Sequence, residues 1–163
     1  VFAEIAIVQT AIAPHRDQVA IAAVNSPENT VISGNRLAVE AILQQFKAMG
    51  IRCQPLTVSH AFHSPAIQPM LESFQQIAGE VSYTAPHRKL VSNLTGALFD
   101  ATTIPDAAYW CRHLREPVQF ALGMQTLQKE CSVFIEMGPG STLLNLGRRC
   151  LSLEAGHWFP SLR

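Results

Sequence analysis

The hydrophobic period switches repeatedly within the first 58 residues, and that alternation restricts the fold more than any other feature. Ile5, Val8 and Ile12 recur at helical spacing until Pro14 stops them. Val19 to Asn25 reads as a buried strand, Ser26-Pro27-Glu28-Asn29 as a turn, and Thr30 to Ser33 as a second short strand broken by Gly34-Asn35. Helical spacing returns from Arg36 to Met49 through Leu37, Ile42, Leu43, Phe46 and Met49, with Gly50 placed as a C-cap. Ile51 to Val58 then reads as a strand. Val1-Phe2-Ala3 is apolar and lacks an initiator Met; it reads as the stub of an element whose beginning is missing or as an artificial boundary, and the strand-stub reading adds a first strand. With it, the order becomes β-α-β-β-α-β, the ferredoxin-like arrangement. Many unrelated proteins share that pattern, so it does not by itself give a function.

From residue 59 onward the pattern is different. A helix is expected over Met70–Ala78, a strand over Lys89–Leu94, two helices over Asp106–Leu114 and Val118–Lys129, a buried strand over Ser132–Met137, and a helix over Ser141–Cys150. These are strand–helix units of a larger α/β layer. The expected fold class is therefore α/β (α+β). Residues 1–58 would form a ferredoxin-like small subdomain, and residues 59–163 the C-terminal part of an incomplete hydrolase-like α/β subdomain.

Composition narrows the function. Twelve basic and twelve acidic residues cancel, so the basic surplus of a nucleic-acid binder is missing. The longest purely apolar stretch, Val19 to Val24, is far too short to cross a bilayer. The cysteines at 53, 111, 131 and 150 form no Cys-x-x-Cys pair, which argues against a zinc site; reduced thiols and a cytoplasmic setting are expected.

Three segments could carry chemistry. In Val58-Ser59-His60-Ala61-Phe62-His63-Ser64-Pro65, two histidines stand three apart after a strand. Ser64-Pro65 is a good N-cap and N1 pair, which would set His63 against a helix N-terminus. An imidazole kept neutral there can serve as a general base, or can be an ordinary satisfied loop group. A metal site from His60 and His63 lacks a third ligand nearby in sequence, so no metal is expected. The run Phe134-Ile135-Glu136-Met137-Gly138-Pro139-Gly140 followed by a helix is either an anion cradle or a tight strand-to-helix turn; it lacks the Lys and Ser/Thr of a P-loop. The basic stretch around Arg112, His113 and Arg115 is either a phosphate contact or a solvated helix end.

Taken together these motifs resemble one family. Asn25-Ser26-Pro27 with Val31-Ile32-Ser33-Gly34, His60 to Pro65, Ser92-Asn93-Leu94-Thr95-Gly96, Tyr109-Trp110 with Arg115 to Phe120, Glu136-Met137-Gly138-Pro139 and the closing Trp158 to Arg163 are similar, in order and spacing, to the acyltransferase domain of type I polyketide synthases. The family also includes malonyl-CoA:acyl carrier protein transacylases. The resemblance implies a serine in a Gly-His-Ser-x-Gly elbow that takes an acyl group from coenzyme A and passes it to the phosphopantetheine thiol of an acyl carrier protein. A histidine activates first the serine and then the thiol; by motif position it is His63. Gln119 would support the imidazole through its backbone carbonyl, His60 and Phe62 would set substrate selectivity, and Asn25 is a candidate pocket residue. A His-Ala-Phe-His loop goes with malonyl units in this family, and Phe62 would fill the space of a methylmalonyl α-methyl group.

The chain departs from that pattern: no Gly-His-Ser-x-Gly occurs in the 163 residues. The serine, the arginine that clamps the malonyl carboxylate and the oxyanion-hole segment are expected on a preceding part of the domain. The implied picture is a piece that carries base and selectivity loop but is inactive alone. It would bind no cofactor of its own; malonyl-CoA, the carrier protein and other domains of the same synthase would be its partners. The competing reading is a non-catalytic carrier-protein docking or scaffold domain.

Overall fold

Val1 and Phe2 occupy the position of a central strand. In the computed structural model, Val1 exchanges both backbone hydrogen bonds with Thr30, at 2.9 and 3.0 Å, while the Phe2 N–H turns the other way and donates to the Arg52 carbonyl at 2.9 Å. Thr30 belongs to β2 (Asn29–Gly34), which pairs antiparallel with β1 (Val19–Ser26) around the Pro27-Glu28 turn. The backbone order is thus residue 52, residues 1–2, β2, β1, which is the strand order of a ferredoxin-like sheet. The structure describes residues 1–100, 102–152 and 155–162; Arg163, the last residue of the closing motif, lies outside them.

Helices α1 (Ile5–Ile12) and α2 (Arg36–Ala48) pack on this sheet. Val8, Val19, Ile42 and Phe46 are fully or almost fully buried and, with Ile21 and Ala38, form the first core. Both ends of α2 are set by sequence. Asn35 Oδ1 accepts from Leu37 N at 3.0 Å and Ala38 N at 3.3 Å. At the other end Gly50 takes φ 71°, its N–H donates to Lys47 O, and Ile51 N–H donates to Phe46 O, the paired bonds of a Schellman turn.

The second half contains α3 (Leu71–Gly79), α4 (Ala107–Arg115), α5 (Phe120–Glu130), β3 (Val133–Glu136), α6 (Thr142–Cys150) and β4 (His157–Pro160). Strands β3 and β4 pair in parallel, Val133 opposite His157 through Glu136 opposite Pro160. Met124, Phe134 and Leu144 form a second core, capped by Trp158 stacked on Phe134 at 4.3 Å. Gly147 admits this stacking: a Cβ there would lie 2.7 Å from the Trp158 ring. The halves join at the free edge of β1. Val118 N–H donates to Ala22 O and Val118 O accepts from Val24 N, both at 2.9 Å, and the Cys150 thiol donates to Asn25 O at 3.0 Å.

The chain is therefore a mixed α/β fold, with several local expectations revised. Ile51–Val58 forms no ladder: beyond the Ile51 N–H that closes α2, only Arg52 bonds to a neighbouring backbone, and Leu56 and Val58 are exposed. Lys89–Leu94 is reduced to a single bridge, Val91 with Leu98. Both segments have strand composition, but a strand also needs a partner backbone beside it, and composition does not supply one. Val118 leaves the expected helix and pairs with β1 instead, and α5 begins two residues later at Phe120. β3 was expected to be buried, yet Val133 and Ile135 are exposed because only one of its edges and one of its faces is covered. No helix of the described residues is long and apolar enough to cross a membrane.

Candidate active site around His63

His63 sits in the loop between residue 58 and a 3₁₀ turn, Pro65–Met70, and is the only non-glycine residue with positive φ among the described residues, at 60°. Such a conformation costs about 1–3 kcal/mol and persists only where surrounding contacts enforce it. Those contacts come from the end of α4. The His63 N–H donates to Leu114 O at 2.9 Å, and the ring Nδ1 lies 2.9 Å from the Glu116 carbonyl. The last carbonyls of a helix have no intrahelical donor, so a side chain 53 positions away in sequence completes them. Glu116 precedes Pro117 and is extended (φ −90°, ψ 159°), which turns its carbonyl away from the helix. Arg112 holds the Glu116 carboxylate with bonds of 2.6 and 3.1 Å and steadies the same residue.

This arrangement assigns the tautomer. A carbonyl oxygen only accepts, so Nδ1 carries a proton and donates; in the neutral imidazole the lone pair is then on Nε2. His63 is half-buried. Two sequence expectations are corrected here. The supporting carbonyl belongs to Glu116, whereas Gln119 begins α5: its N–H donates to Asn93 O at 2.7 Å and its carbonyl is taken by Gly123 N–H, the first bond of the helix. Ser64-Pro65 opens a 3₁₀ turn of six residues, so no α-helical N-terminus points at the imidazole.

His60 and Phe62 lie beside the base on the same loop. His60 Nδ1 is 2.9 Å from Ser59 Oγ, its ring is 6.0 Å from that of Phe62, and both side chains are exposed. Asn25 is half-buried near the end of β1, and the Cys150 thiol ties it to α6. That thiol is half-buried, and the burial pushes its pKa up to about 11. All four cysteines are unpaired. Among the described residues no group of three or more His, Cys, Asp or Glu could hold a metal ion.

Two contacts escaped sequence reading. His113 meets the His63 ring edge-on at 6.1 Å and packs against Tyr109 and Trp110. Burial, and then the nearby His63, lower its pKa below the ordinary histidine value. It also walls a cavity of ≈ 190 Å³ lined by Leu90, Val91, Phe99, Tyr109 and Trp110. The i, i+4 spacing of Tyr109 and His113 was the available signal. The second is the cap on α6 after the Gly-Pro-Gly turn: Glu136 accepts from Leu143 N at 3.2 Å and Leu144 N at 3.0 Å. The turn is an internal cap rather than an anion cradle.

Comparison with known proteins agrees with the geometry. The family model for the acyl transferase domain matches residues 3–157. Polyketide synthase GfsA of Streptomyces halstedii is 40% identical over 142 residues, covering 86% of this chain and 2% of that protein. The phenolphthiocerol synthesis polyketide synthase type I Pks15/1 of Mycobacterium bovis is 48% identical over 126 residues, 77% of this chain and 6% of that protein. Among solved structures, the acyltransferase domain from the second module of the salinomycin polyketide synthase superposes with a TM-score of 0.93 at 40% identity, covering 99% of this chain and 38% of that one. The malonyl-CoA:acyl carrier protein transacylase FabD of Xanthomonas oryzae pv. oryzae gives 0.86 at 26% identity, covering 97% and 51%. The chain thus spans a few per cent of those curated synthases and about half or less of those two solved chains. The ordered motifs, a buttressed histidine and a family match along nearly the whole length lead to one conclusion: this chain belongs to the acyl transferase domain family.

Proposed function

We propose that these residues supply the general base and the selectivity loop of a malonyl transfer reaction. The complete domain moves a malonyl group from malonyl-CoA to the phosphopantetheine thiol of an acyl carrier protein. The observation that carries this reading is the Nδ1 contact with the Glu116 carbonyl at 2.9 Å, which leaves Nε2 free to take a proton.

In the first half-reaction His63 Nε2 removes the proton of a serine hydroxyl as the oxygen attacks the thioester carbon. The bond to sulfur breaks, and the imidazolium returns the proton to the leaving coenzyme A thiolate. In the second, Nε2 takes the proton of the pantetheine thiol; the sulfur attacks the acyl-serine, and the serine oxygen recovers the proton. During both steps the ring is positive while its Nδ1–H faces a helix-terminal carbonyl, a favourable place for transient positive charge. The serine is assigned to a segment of the complete domain outside these 163 residues, whose sequence contains no Gly-His-Ser-x-Gly. The 163 residues alone are accordingly assigned no turnover. The two separate cores support the division into subdomains near residue 58.

Phe62, exposed beside His60, is the proposed steric gate against an α-methyl group. The test is to present a complete domain containing these residues with labelled malonyl-CoA and a phosphopantetheinylated carrier protein. Label on the carrier supports malonyl transfer; carrier binding without any label supports the docking or scaffold role instead.

A further inference from the structure

Ser64 is completely buried although it follows the half-buried His63 directly. Its hydroxyl makes two bonds to backbone, accepting from Ala66 N–H at 3.2 Å and donating to Ala61 O at 2.6 Å. The first is what any serine does at the start of a helical turn. The second is not needed for capping. It reaches back across Phe62 and His63, so the two bonds close the segment 61–66 around the left-handed His63. The anchors from His63 to α4 fix where the imidazole goes, but they leave the path of the chain through Ala61 and Phe62 open.

We infer that Ser64 is a positioning residue: its hydroxyl locks the turn that holds the His63 backbone left-handed and keeps Phe62 in its place beside His60. The inference rests on the reading of His63 as the base. A methyl in place of the hydroxyl would leave the Ala61 carbonyl and the Ala66 N–H without this partner and let the strained residue relax toward ordinary φ. The imidazole and the Phe62 ring would then shift together.

The test compares Ser64→Ala, His63→Ala and Ile42→Val in a complete domain containing these residues. Ile42 lies fully buried in the first core and serves as a control for general loss of stability. Ser64→Ala should lower kcat for malonyl loading about tenfold or more while leaving KM for malonyl-CoA within about twofold, because displacement of a positioned base by a fraction of an ångström acts mainly on the chemical step. It should narrow the preference for malonyl over methylmalonyl, and speed hydrogen exchange of the His63 amide without affecting α2; Ile42→Val should do none of these. If His63→Ala abolishes loading and Ser64→Ala behaves like Ile42→Val, the inference is overturned. If His63→Ala still loads, the base reading fails, and exchange at the His63 amide decides alone: unchanged exchange in Ser64→Ala overturns the positioning role. Should Ser64→Ala not fold, Ser64→Cys, similar in shape and a weak donor, takes its place with the same expected directions and the same refuting results.

Discussion

Glu136 offers a quantitative check on how the second half is held together. Its two carboxylate oxygens meet the N–H groups of Leu143 and Leu144 at 3.2 and 3.0 Å, at the positive end of α6. Both bonds are longer than the usual charge-assisted range, and Glu136 is part-exposed, so each counts at the low end. Two weak bonds plus the interaction with the helix dipole give about 1–2 kcal/mol for Glu136→Ala. Glu136→Gln keeps an acceptor but loses the charge, and should cost roughly half of that. For a chain of this size 1 kcal/mol moves the melting temperature by about 2–4 °C, so the expected shifts are about 2–8 °C for Ala and about half as much for Gln. Thermal unfolding followed by circular dichroism in low salt and in about 1 M NaCl gives the readout, the difference between wild type and Gln shrinking in high salt. A Glu136→Ala protein that melts with the wild type would refute the capping argument, and a Gln variant as damaging as Ala would refute the part assigned to charge.

Three more expectations follow from the same geometry. Phe62→Ser with His60→Tyr in a complete domain should improve methylmalonyl relative to malonyl kcat/KM by about 1–3 kcal/mol, or roughly 5- to 150-fold; an unchanged ratio in competition assays removes the steric account. His113 has a folded-state pKa below its unfolded value, so the unfolded chain binds the extra proton first. Stability should therefore fall as pH drops below the ordinary histidine range toward the lowered value. Urea unfolding across that window should show a smaller slope in His113→Asn, and equal slopes would sink the assignment. Val133, Ile135, Met137, Leu143 and Phe159 leave an apolar surface around β3 and β4, so the 163-residue chain should self-associate in sedimentation experiments; a monodisperse monomer would contradict this.

Periodicity exposed most of the elements because their reasons are local. The Asn35 cap, the Gly50 turn, the Ser26 to Asn29 hairpin and the start of α4, where the Asp106 carboxylate accepts from Tyr109 N, each follow from neighbouring residues. The errors arose where structure depends on distant backbone. Residues 51–58 and 89–94 have strand composition, but neither has a continuous strand beside it. At the site, His63 stood out as a residue, but its environment did not. Its left-handed backbone and its union with α4 span 53 positions, a pairing that composition cannot reveal. The Glu116-Pro117 pair did hold a clue, since a residue before proline turns extended and frees its carbonyl. Gln119 was the nearer fit by motif, yet an N-cap carbonyl is already committed to its own helix.

The central claim is that the Nε2 lone pair of His63 accepts the proton of the incoming nucleophile. Its most direct measurement is the rate at which a complete domain containing these residues becomes acylated by malonyl-CoA, with His63 and with alanine in its place. A positioned general base contributes about 10²- to 10⁴-fold, so His63→Ala should slow acylation by that factor while melting normally. A folded His63→Ala domain that acylates within a few fold of wild type would show that the proton goes elsewhere.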